Sequence, residues 1–226
     1  MVEAQYDGLA EEYDAFLEEQ APYYEQAVEA LLRLLGNGPG RLLDVGVGTG
    51  RLAARTLALA WTLAGVDLSH DQLRIAESRL PDAELVCADA TALPFEDASF
   101  DAAFSTFTHS DLDDFAGAVA EVRRVLRPGG RFVYVGNHPS FVGAVQERTD
   151  SGIPILHAGY RVAGRRTIAD SPGITPNGWR ARLGDSVHLP LADFLSAFTG
   201  LTLETAEELD DGLEYPRTVA LAWTKP

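Results

Sequence analysis

The sequence contains 226 residues, 46% of them hydrophobic, and carries a formal net charge of −16. This length and composition are typical of one globular domain, or of one domain with an inserted subdomain. The acidic charge argues against a nucleic-acid partner, because lysine and arginine contacts to phosphates dominate such binding. No apolar run is long enough to span a membrane and the first residues are acidic, unlike a secretory signal, so we expect a cytoplasmic protein.

Residues 1–35 are predicted to form helices that end at a glycine-rich turn, residues 36–40. Tyr6, Tyr13 and Phe16 lie among acidic residues in this segment, and a leucine-rich apolar patch follows them. One interpretation is that Tyr6 and Tyr13 only pack the helix onto the sheet. The other gives Tyr13 a contact with a bound ligand.

A strand, a glycine turn and a helix are predicted from residue 42 onward. The run LLDVGVGTG places Gly46, Gly48 and Gly50 at alternate positions before an Ala/Leu-rich segment of good helix formers. A dinucleotide site has the spacing GxGxxG and holds a pyrophosphate at the helix start. Here the spacing is GxGxG, and Asp44 just before it would repel a pyrophosphate but suits a ligand with an ammonium group. A glycine turn without any ligand is the third alternative.

Two more acidic residues follow predicted strands. Asp67 lies 23 residues after Asp44, where a βαβ unit places an acid at the carboxyl end of the next strand. A carboxylate there accepts both ribose hydroxyls of an adenosine, and a solvated loop acid is the alternative. Asp89 follows the third predicted strand, in which we expect Cys87 to be a buried thiol. Asp44, Asp67 and Asp89 are therefore predicted to line one edge of one sheet.

The loop after the fourth predicted strand contains one histidine. The strand SFDAAFS leads into a helical segment for which Ser110 or Asp111 is the predicted N-cap, and a Pro-Gly-Gly turn is predicted to end that helix. His109 is the only ionisable group in the loop before those capping residues. It either hydrogen-bonds within its own loop or takes part in catalysis.

Residues 137–189, after the predicted fifth strand 131–136, form a long Gly- and Pro-rich segment with two hairpin-like pieces, GYRVAGRR and GWRARLG. A long segment of this kind inside a compact domain usually forms a lid over a functional site or part of a binding site. Its arginines outnumber its acids: Arg148, Arg161, Arg165, Arg166, Arg180 and Arg182 against Glu147, Asp150, Asp170 and Asp185. They either bind a carboxylate or phosphate of a substrate or pair with the acidic body.

The same segment carries three histidines and two aromatic residues of interest. His138, His157 and His188 have no paired spacing or cysteine partners, so we predict no metal site. Tyr160 and Trp179 are candidates for an aromatic wall, with a packing role as the alternative. A helix is predicted near residues 190–198, and two short antiparallel strands at the end of the chain.

Five motifs occur in order at the spacing of βα units: DVGVGTG, GVDLS, CADATALPF, FDAAFS and VLRPGGRFVYV. Together they resemble the class I S-adenosylmethionine-dependent methyltransferases, well over about residues 1–136 and loosely over 186–226. The resemblance implies a single α/β domain with a Rossmann-like seven-stranded sheet, mostly parallel with an antiparallel last strand, and helices on both faces. It also implies an N-terminal helical lid, residues 1–35, and a substrate-covering insertion, residues 137–189.

The resemblance further implies S-adenosyl-L-methionine as cofactor, S-adenosyl-L-homocysteine as product, and a set of binding residues. Tyr13 is the expected lid contact, and Ser105 belongs to the loop that faces the transferable methyl group. The remaining expected contacts are Asp44, Gly46, Gly48 and Gly50 for the methionine end, Asp67 for the ribose, and Leu68, Gln72, Asp89 and Ala90 for the adenine. His109, His188 and Tyr160 are the catalytic candidates.

The sequence favours methylation of a small molecule, with oxygen as the preferred acceptor and natural products as one class of substrate. A general base is needed only if the accepting atom carries a proton. The loop after the fourth strand lacks the Asn/Asp-Pro-Pro-aromatic pattern of enzymes that methylate adenine or glutamine nitrogens. Alternatives are a protein or RNA substrate, a non-methylating enzyme that retains the cofactor, and a nicotinamide dehydrogenase. An anionic small molecule is the expected partner, with no membrane or nucleic acid, and the sequence leaves monomer and dimer open.

Overall fold

The computed structural model describes residues 4–149, 153–174, 178–210, 212 and 214–226, with only the backbone of Arg148. The strands are β1 Arg41–Val45, β2 Thr62–Asp67, β3 Glu84–Cys87, β4 Phe100–Thr106, β5 Leu126–Asn137, β6 Gln146–Arg148, β7 Pro154–Leu156, β8 Gly164–Thr167, β9 Asp185–His188, β10 Thr202–Glu208 and β11 Thr218–Thr224. The helices are α1 Ala10–Glu19, α2 Ala21–Leu35, α3 His70–Arg79, α4 Phe115–Val125, α5 Trp179–Leu183 and α6 Leu191–Ser196. Two 3-10 helices cover Ala53–Leu59 and Ile168–Asp170.

A seven-stranded sheet with the order β10-β11-β5-β4-β1-β2-β3 forms the centre of the molecule. β1 to β5 run parallel, and β11 is antiparallel to both of its neighbours. The expected α/β fold with an antiparallel strand at the end is thereby confirmed. Because the parallel strands all point the same way, the turns after β1, β2, β3 and β4 lie at one edge of the sheet.

Helices cover both faces of this sheet, which explains why its central strands are almost continuously apolar. On one face the buried side chains of α4 and α6 pack against Phe132, Tyr134 and Trp223. On the other face α2 packs against Leu42 and Phe104. The helical N-terminus of the sequence prediction is present as α1 and α2, which join at Gln20.

The boundaries of α4 differ from the prediction at both ends. Its N-cap is Asp114, which accepts a hydrogen bond from the Gly117 N–H at 2.8 Å, and not Ser110 or Asp111. The helix ends at Val125 because Leu126 is fully buried and pairs with Phe100 in the sheet. The Pro-Gly-Gly run therefore lies inside β5 and does not terminate the helix.

Three further local predictions are wrong. The segment after the glycine turn is a 3-10 helix, Ala53–Leu59, where a regular helix was expected. GWRARLG was expected to be a hairpin but contains α5, since Arg, Ala and Leu favour helix and Gly184, with φ 87°, provides a left-handed C-terminal residue. Cys87 is exposed because β3 is an edge strand; its Sγ lies 3.3 Å from the Leu68 carbonyl oxygen.

The segment between β5 and β10 forms two small antiparallel pairs, β6 with β7 and β8 with β9, followed by α6 in the predicted region. Asp150 of the predicted arginine-rich segment and the side chain of Arg148 lie outside the described residues. None of the helices in the described part of the chain is long and apolar enough to cross a membrane.

Candidate functional site

The turn after β1 requires glycine at two of the predicted positions. Gly46 has φ 82°, and a Cβ there would lie 2.5 Å from Cγ2 of Thr108. Gly50 has φ 74°, and a Cβ there would lie 2.8 Å from Cδ1 of Leu80. Positive φ and the lack of space both exclude larger residues. The turn thus runs between the loop after β4 and the end of α3.

Asp44 and Asp67 lie together beside this turn. Asp44 is 1% exposed, and its Oδ1 has no hydrogen-bonding partner among the described residues. Asp67 accepts hydrogen bonds from the backbone N–H groups of Gly48 at 2.8 Å and Ser69 at 2.9 Å. Burial raises the pKa of Asp67 to about 6, and burial together with the charge of Asp67 raises the pKa of Asp44 well above its usual value. A buried and a half-buried carboxyl group, with no ion pair to a cation among the described residues, suit a ligand that brings positive charge and donors.

Gln72 is a second unsatisfied polar group at the same place. It is 1% exposed in the first turn of α3, whose N-cap is Ser69. Both Oε1 and Nε2 of Gln72 lack a partner in the described part of the chain. Oε1 lies 3.5 Å from the position that a Cβ of Gly48 would occupy. Buried polar atoms are normally hydrogen-bonded, so the orphaned atoms of Asp44 and Gln72 indicate a polar ligand between β1 and α3.

Asp89 and Ala90 follow β3 at the same sheet edge. Oδ1 of Asp89 accepts hydrogen bonds from the backbone N–H of Thr91 at 2.8 Å and from its hydroxyl at 2.7 Å. Ala90 packs against the core, and Leu68 after β2 is half-buried. The neighbouring order of β1, β2 and β3 brings Asp44, Asp67 and Asp89 to one edge, as the sequence predicts.

The loop after β4 touches the glycine turn through Ser105 and Thr108. The Ser105 hydroxyl donates to the Val45 carbonyl oxygen at 2.7 Å and lies 2.7 Å from the Thr108 hydroxyl. Phe107 adopts φ 57°, a left-handed conformation that is costly for a bulky residue and reverses the chain here. Ser105 therefore fixes the position of the loop, and His109 is the residue after Thr108 in this loop.

The N-terminal helix α1 is attached to the glycine turn through Asp14, which the sequence analysis missed. Oδ1 of Asp14 accepts from the Thr49 hydroxyl at 2.7 Å, and both carboxylate oxygens accept from Arg79 at 3.0 Å. Arg51 forms a further ion pair with it at 2.9 Å. Burial opposes ionisation, but these donors outweigh it and lower the pKa of Asp14 to about 2. Asp14 is one acid among many in its segment, so its role had no sequence signal.

Tyr13 contacts other aromatic residues in the structure. Its ring centroid lies 4.9 Å from those of Tyr6 and Trp179, and Phe16 stacks on Trp179 at 5.6 Å. This aromatic cluster joins α1 to α5, so the N-terminal helices and the segment after β5 meet. Both interpretations of the N-terminal aromatic residues remain compatible with this position, since the cluster borders a cavity.

A cavity of about 330 Å³ lies between the N-terminal helices, the loop after β4 and the segment after β5. Its lining includes Phe16, Gln20, Tyr23, Tyr24, His109, Ser110, Asn137, Trp179, Arg180, His188 and Arg217. The volume is in the range of small-molecule sites, as is the combination of aromatic walls with a few polar groups. His109 connects this cavity to the glycine turn, because Thr108 beside it contacts Gly46.

The structure places His109 and His188 at this cavity but gives Tyr160 a supporting position. Nδ1 of His109 lies 2.5 Å from the Tyr134 hydroxyl, and Nε2 of His188 lies 2.7 Å from the Tyr160 carbonyl oxygen. Burial, with the charge of Arg180, lowers the pKa of His109 to about 3, and burial lowers the pKa of His188. Both histidines are thus neutral at pH 7. The Tyr160 hydroxyl accepts from the Leu191 N–H at 3.0 Å.

The arginines of the segment after β5 are largely paired with acidic residues of the body. Arg180 binds both carboxylate oxygens of Asp111, at 2.5 and 2.9 Å, and the Ser110 hydroxyl at 2.6 Å. Arg165 pairs with Asp113 and Asp185, and Arg182 pairs with Glu12. This arrangement favours pairing with the acidic body over substrate binding for these three arginines. Among the described residues no cluster of His, Cys, Asp and Glu is arranged to hold a metal ion.

Comparison with known proteins adds the family. The methyltransferase domain family matches residues 43–134. The chain is 30% identical over 202 residues to a malonyl-[acyl-carrier protein] O-methyltransferase of Pseudescherichia vulneris, covering 88% of this chain and 77% of that protein. It is 32% identical over 155 residues to a demethylmenaquinone methyltransferase of Renibacterium salmoninarum, covering 62% of this chain and 65%, just under two thirds, of that protein.

A solved structure confirms the architecture. The S-adenosylmethionine-dependent methyltransferase of Mesorhizobium loti matches with a TM-score of 0.69 and 23% identity, covering 89% of this chain and 97% of that one. The matched family region contains the last three residues of β1, all of β2 to β4, the glycine turn, Asp67, Asp89 and His109. The chain belongs to the class I S-adenosylmethionine-dependent methyltransferases, the family that its ordered motifs resemble.

Proposed function

We propose that this chain transfers the methyl group of S-adenosylmethionine to an oxygen of a small molecule bound in the 330 Å³ cavity. The observation that carries the proposal is the position of the cavity. The loop that reaches the glycine turn at Thr108 supplies His109 to the cavity in the next residue. A methyl donor bound at the glycine turn and a methyl acceptor bound in the cavity would therefore be separated only by this short loop.

The residues around the glycine turn fit the cofactor. Asp44 and the turn from Gly46 to Gly50 would hold the methionine end, since the unpartnered Oδ1 of Asp44 suits an ammonium group. Asp67 would accept the ribose hydroxyls. Leu68, Gln72, Asp89 and Ala90 would contact the adenine, and Gln72 would bring an acceptor and a donor that have no partner among the described residues. Tyr13 and Ser105 would act from the lid and from the loop after β4.

The cofactor supplies an activated methyl group on a positively charged sulfur. The task of the protein is to hold the accepting atom in line with that group and to exclude water, which for well-oriented reactants is worth about 7–11 kcal/mol. The lid helices and the segment after β5 enclose the cavity and would provide this exclusion. We assign residues 1–35 and 137–189 to that role within a single domain.

Oxygen is the proposed acceptor because the cavity offers neutral histidines. His109 and His188 are both buried, and burial keeps both neutral at pH 7. The neutral imidazole of His188 can accept the proton that a hydroxyl group loses when it becomes a nucleophile, and a positioned base contributes about 10²–10⁴ in rate. His109, whose pKa is lowered to about 3, is a weak base and is better suited to hydrogen bonding with the acceptor. Arg217 lies at the cavity wall with its guanidinium 4.6 Å from the Tyr23 ring, a cation–π contact.

A labelling experiment tests this proposal. The purified protein is incubated with methyl-labelled S-adenosylmethionine and a cell extract divided into small-molecule, protein and RNA fractions. We expect label in the small-molecule fraction together with release of S-adenosylhomocysteine. Label in protein or RNA would give the rival substrate class, and product formation without S-adenosylhomocysteine would indicate a non-methylating enzyme. Calorimetric titration with NAD should give no binding.

A further inference from the structure

The two histidines at the cavity differ in which ring nitrogen is held by the protein. His109 is held at Nδ1 by the Tyr134 hydroxyl, and His188 is held at Nε2 by the Tyr160 carbonyl oxygen. Both side chains belong to residues that are 3% exposed. Nε2 of His109 and Nδ1 of His188 form no hydrogen bond with the part of the chain that the structure describes. These are the nitrogens left for a bound molecule.

The partner of His188 fixes its tautomer. A carbonyl oxygen only accepts hydrogen bonds, so Nε2 of a neutral His188 carries the proton that is donated to Tyr160. Nδ1 then has a free lone pair. Such a backbone contact to one ring nitrogen is a common way to fix the other as an acceptor.

The hydrogen-bonding partner of His109 fixes the same tautomer for a different reason. Tyr134 is fully buried, and burial raises the pKa of its hydroxyl, which keeps its proton. Among the described residues Nδ1 of His109 is the only hydrogen-bond acceptor within reach of this hydroxyl. If Nδ1 carried a proton, the buried Tyr134 hydrogen would have no acceptor, which is costly. Tyr134 therefore donates to Nδ1, and Nε2 of His109 carries a proton.

The two histidines consequently offer opposite functions to one cavity. Nε2 of His109 is a donor and Nδ1 of His188 is an acceptor. Their chain segments are joined directly, since the Val187 N–H donates to the Ser110 carbonyl oxygen at 2.8 Å. A bound molecule that satisfies both therefore needs a hydroxyl hydrogen and an acceptor oxygen close together.

The walls of the cavity define the rest of the molecule. Phe16 and Trp179 stack on each other with an interplanar angle of 19°, and Tyr23 and Tyr24 also line the cavity. Flat aromatic walls around a volume of about 330 Å³ suit one planar ring system with small substituents.

We propose that the acceptor is a small aromatic compound with a hydroxyl group next to a carbonyl oxygen, the hydroxyl facing Nδ1 of His188 and the carbonyl oxygen facing Nε2–H of His109. This inference rests on the proposed methyl transfer. In the transfer, the hydroxyl oxygen forms the new O–CH3 bond and the C–S bond of the cofactor breaks with its electron pair remaining on sulfur. The hydroxyl proton moves to Nδ1 of His188 and is later released to water. Tyr134 is a positioning residue, since it acts through His109.

The tautomers are tested first, without any turnover. In nitrogen NMR of the protein labelled in its histidine rings, His109 and His188 are expected as neutral rings protonated at Nε2 between pH 7 and 8. In Tyr134→Phe the His109 signals should change, whereas those of His188 should not. Protonation of either ring at Nδ1 in the native protein would overturn the assignment.

The acceptor class is tested with two isomeric probes, 2′-hydroxyacetophenone and 4′-hydroxyacetophenone, by release of S-adenosylhomocysteine. Only the first has its hydroxyl next to the carbonyl group, and we expect it to react at least about tenfold faster, the effect of one hydrogen bond to a buried donor. His109→Asn keeps an acceptor for Tyr134, but its amide group is too short to place a donor at the position of Nε2, so it should lose this preference. His109→Gln, which carries a donor near the position of Nε2, should recover it relative to His109→Asn.

His188→Gln completes the test. It keeps a donor for the Tyr160 carbonyl oxygen but has no base, so turnover should fall by about 10²-fold or more while probe binding is retained. Equal reaction of the two isomers, or reaction of neither, overturns the acceptor class. Cofactor binding measured on the same samples separates the failures, because loss of S-adenosylmethionine binding would contradict the proposed function itself.

Discussion

Asp14 of the N-terminal helix and Arg79 at the end of α3 form a two-pronged ion pair, with both nitrogen–oxygen distances 3.0 Å, over the glycine turn. The Thr49 hydroxyl completes the contact at 2.7 Å. The helix that encloses the cavity is thus attached to the loop that would hold the cofactor, and one carboxylate makes this particular contact.

Removing this carboxylate should release α1. Asp14→Ala is expected to lower the free energy of unfolding by about 2 kcal/mol, because Asp14 is 18% exposed and its bonds involve charged groups. Urea denaturation measures the stability, and limited proteolysis before residue 20 measures the release. Glu18→Gln is the matched control, since Glu18 is 75% exposed and lies 3.7 Å from Arg51. Equal effects of the two substitutions would contradict the role of Asp14.

The direction of the pKa shift of Asp14 determines how the stability provided by this contact depends on pH. The pKa of Asp14 is about 2 in the folded protein, below its usual value of 3.8, so the unfolded chain holds the proton more tightly. The stabilisation is complete above pH 3.8 and is lost as the pH falls toward 2. The stability difference between the native protein and Asp14→Asn, measured by denaturation at several pH values, should therefore shrink below pH 4. A constant difference would show that the carboxylate charge is not involved.

Cofactor affinity is expected to depend on pH through Asp67. Burial raises the pKa of this carboxyl to about 6, whereas ribose hydroxyls and a cationic cofactor need its ionised form. Affinity for S-adenosylmethionine should therefore rise with pH through about 6 and level off above it. Isothermal titration between pH 5 and 8 measures this change. Asp67→Ala should weaken binding by about 1.5–3 kcal/mol at pH 8, the scale of hydrogen bonds to a charged group.

Two control substitutions separate this effect from a general one. His109→Ala and His188→Ala lie at the acceptor cavity and should leave cofactor affinity unchanged. Unchanged affinity in Asp67→Ala would mean that the ribose lies elsewhere.

Two glycines with similar φ values allow the cost of backbone strain to be compared with the cost of a steric clash. Gly46 and Gly129 have similar φ values, 82° and 76°, but a Cβ would meet Thr108 at 2.5 Å in the first case and nothing within 4 Å in the second. Gly129→Ala should cost only the left-handed conformation, about 1 kcal/mol. Gly46→Ala should cost more and should also weaken cofactor binding, because the loop after β4 must move. Equal unfolding free energies for the two variants would contradict the close approach of Thr108.

The sheet was predictable because most parallel strands contain an apolar run, and an aspartate lies at or just after the carboxyl end of β1, β2 and β3. Asp44, Asp67 and Asp89 are separated by βα units, and that spacing alone brings them to one edge. Asp14 and Asp111 were not predictable as site residues, since their roles depend on arginines far away in the chain, Arg79 and Arg180. Such pairs leave no periodic pattern, and a segment of mixed acids and arginines gives many equivalent pairings.

We expect Asp44 to lower the stability of the cofactor-free protein and to strengthen the binding of the cofactor. Burial and the charge of Asp67 raise its pKa well above the usual value, and its Oδ1 lacks a partner among the described residues. Because the pKa of Asp44 is higher in the folded than in the unfolded protein, its contribution to folding stability is fully present below pH 3.8 and is lost as the pH rises. At pH 8 the ionised carboxylate of Asp44 therefore lowers the free energy of unfolding. Asp44→Asn removes the charge at the same size and should raise the free energy of unfolding without cofactor by about 1 kcal/mol at pH 8.

The same substitution should weaken S-adenosylmethionine binding, because the amide cannot neutralise an ammonium group. Asp89→Asn is the matched control: Oδ1 of Asp89 accepts from Thr91, an interaction that an amide oxygen preserves, so its stability without cofactor should not rise. Thermal unfolding with and without cofactor measures both effects in one experiment. If Asp44→Asn lowered the stability of the free protein, the buried carboxyl group would have a partner that supports the fold, and its assignment to the cofactor would fail.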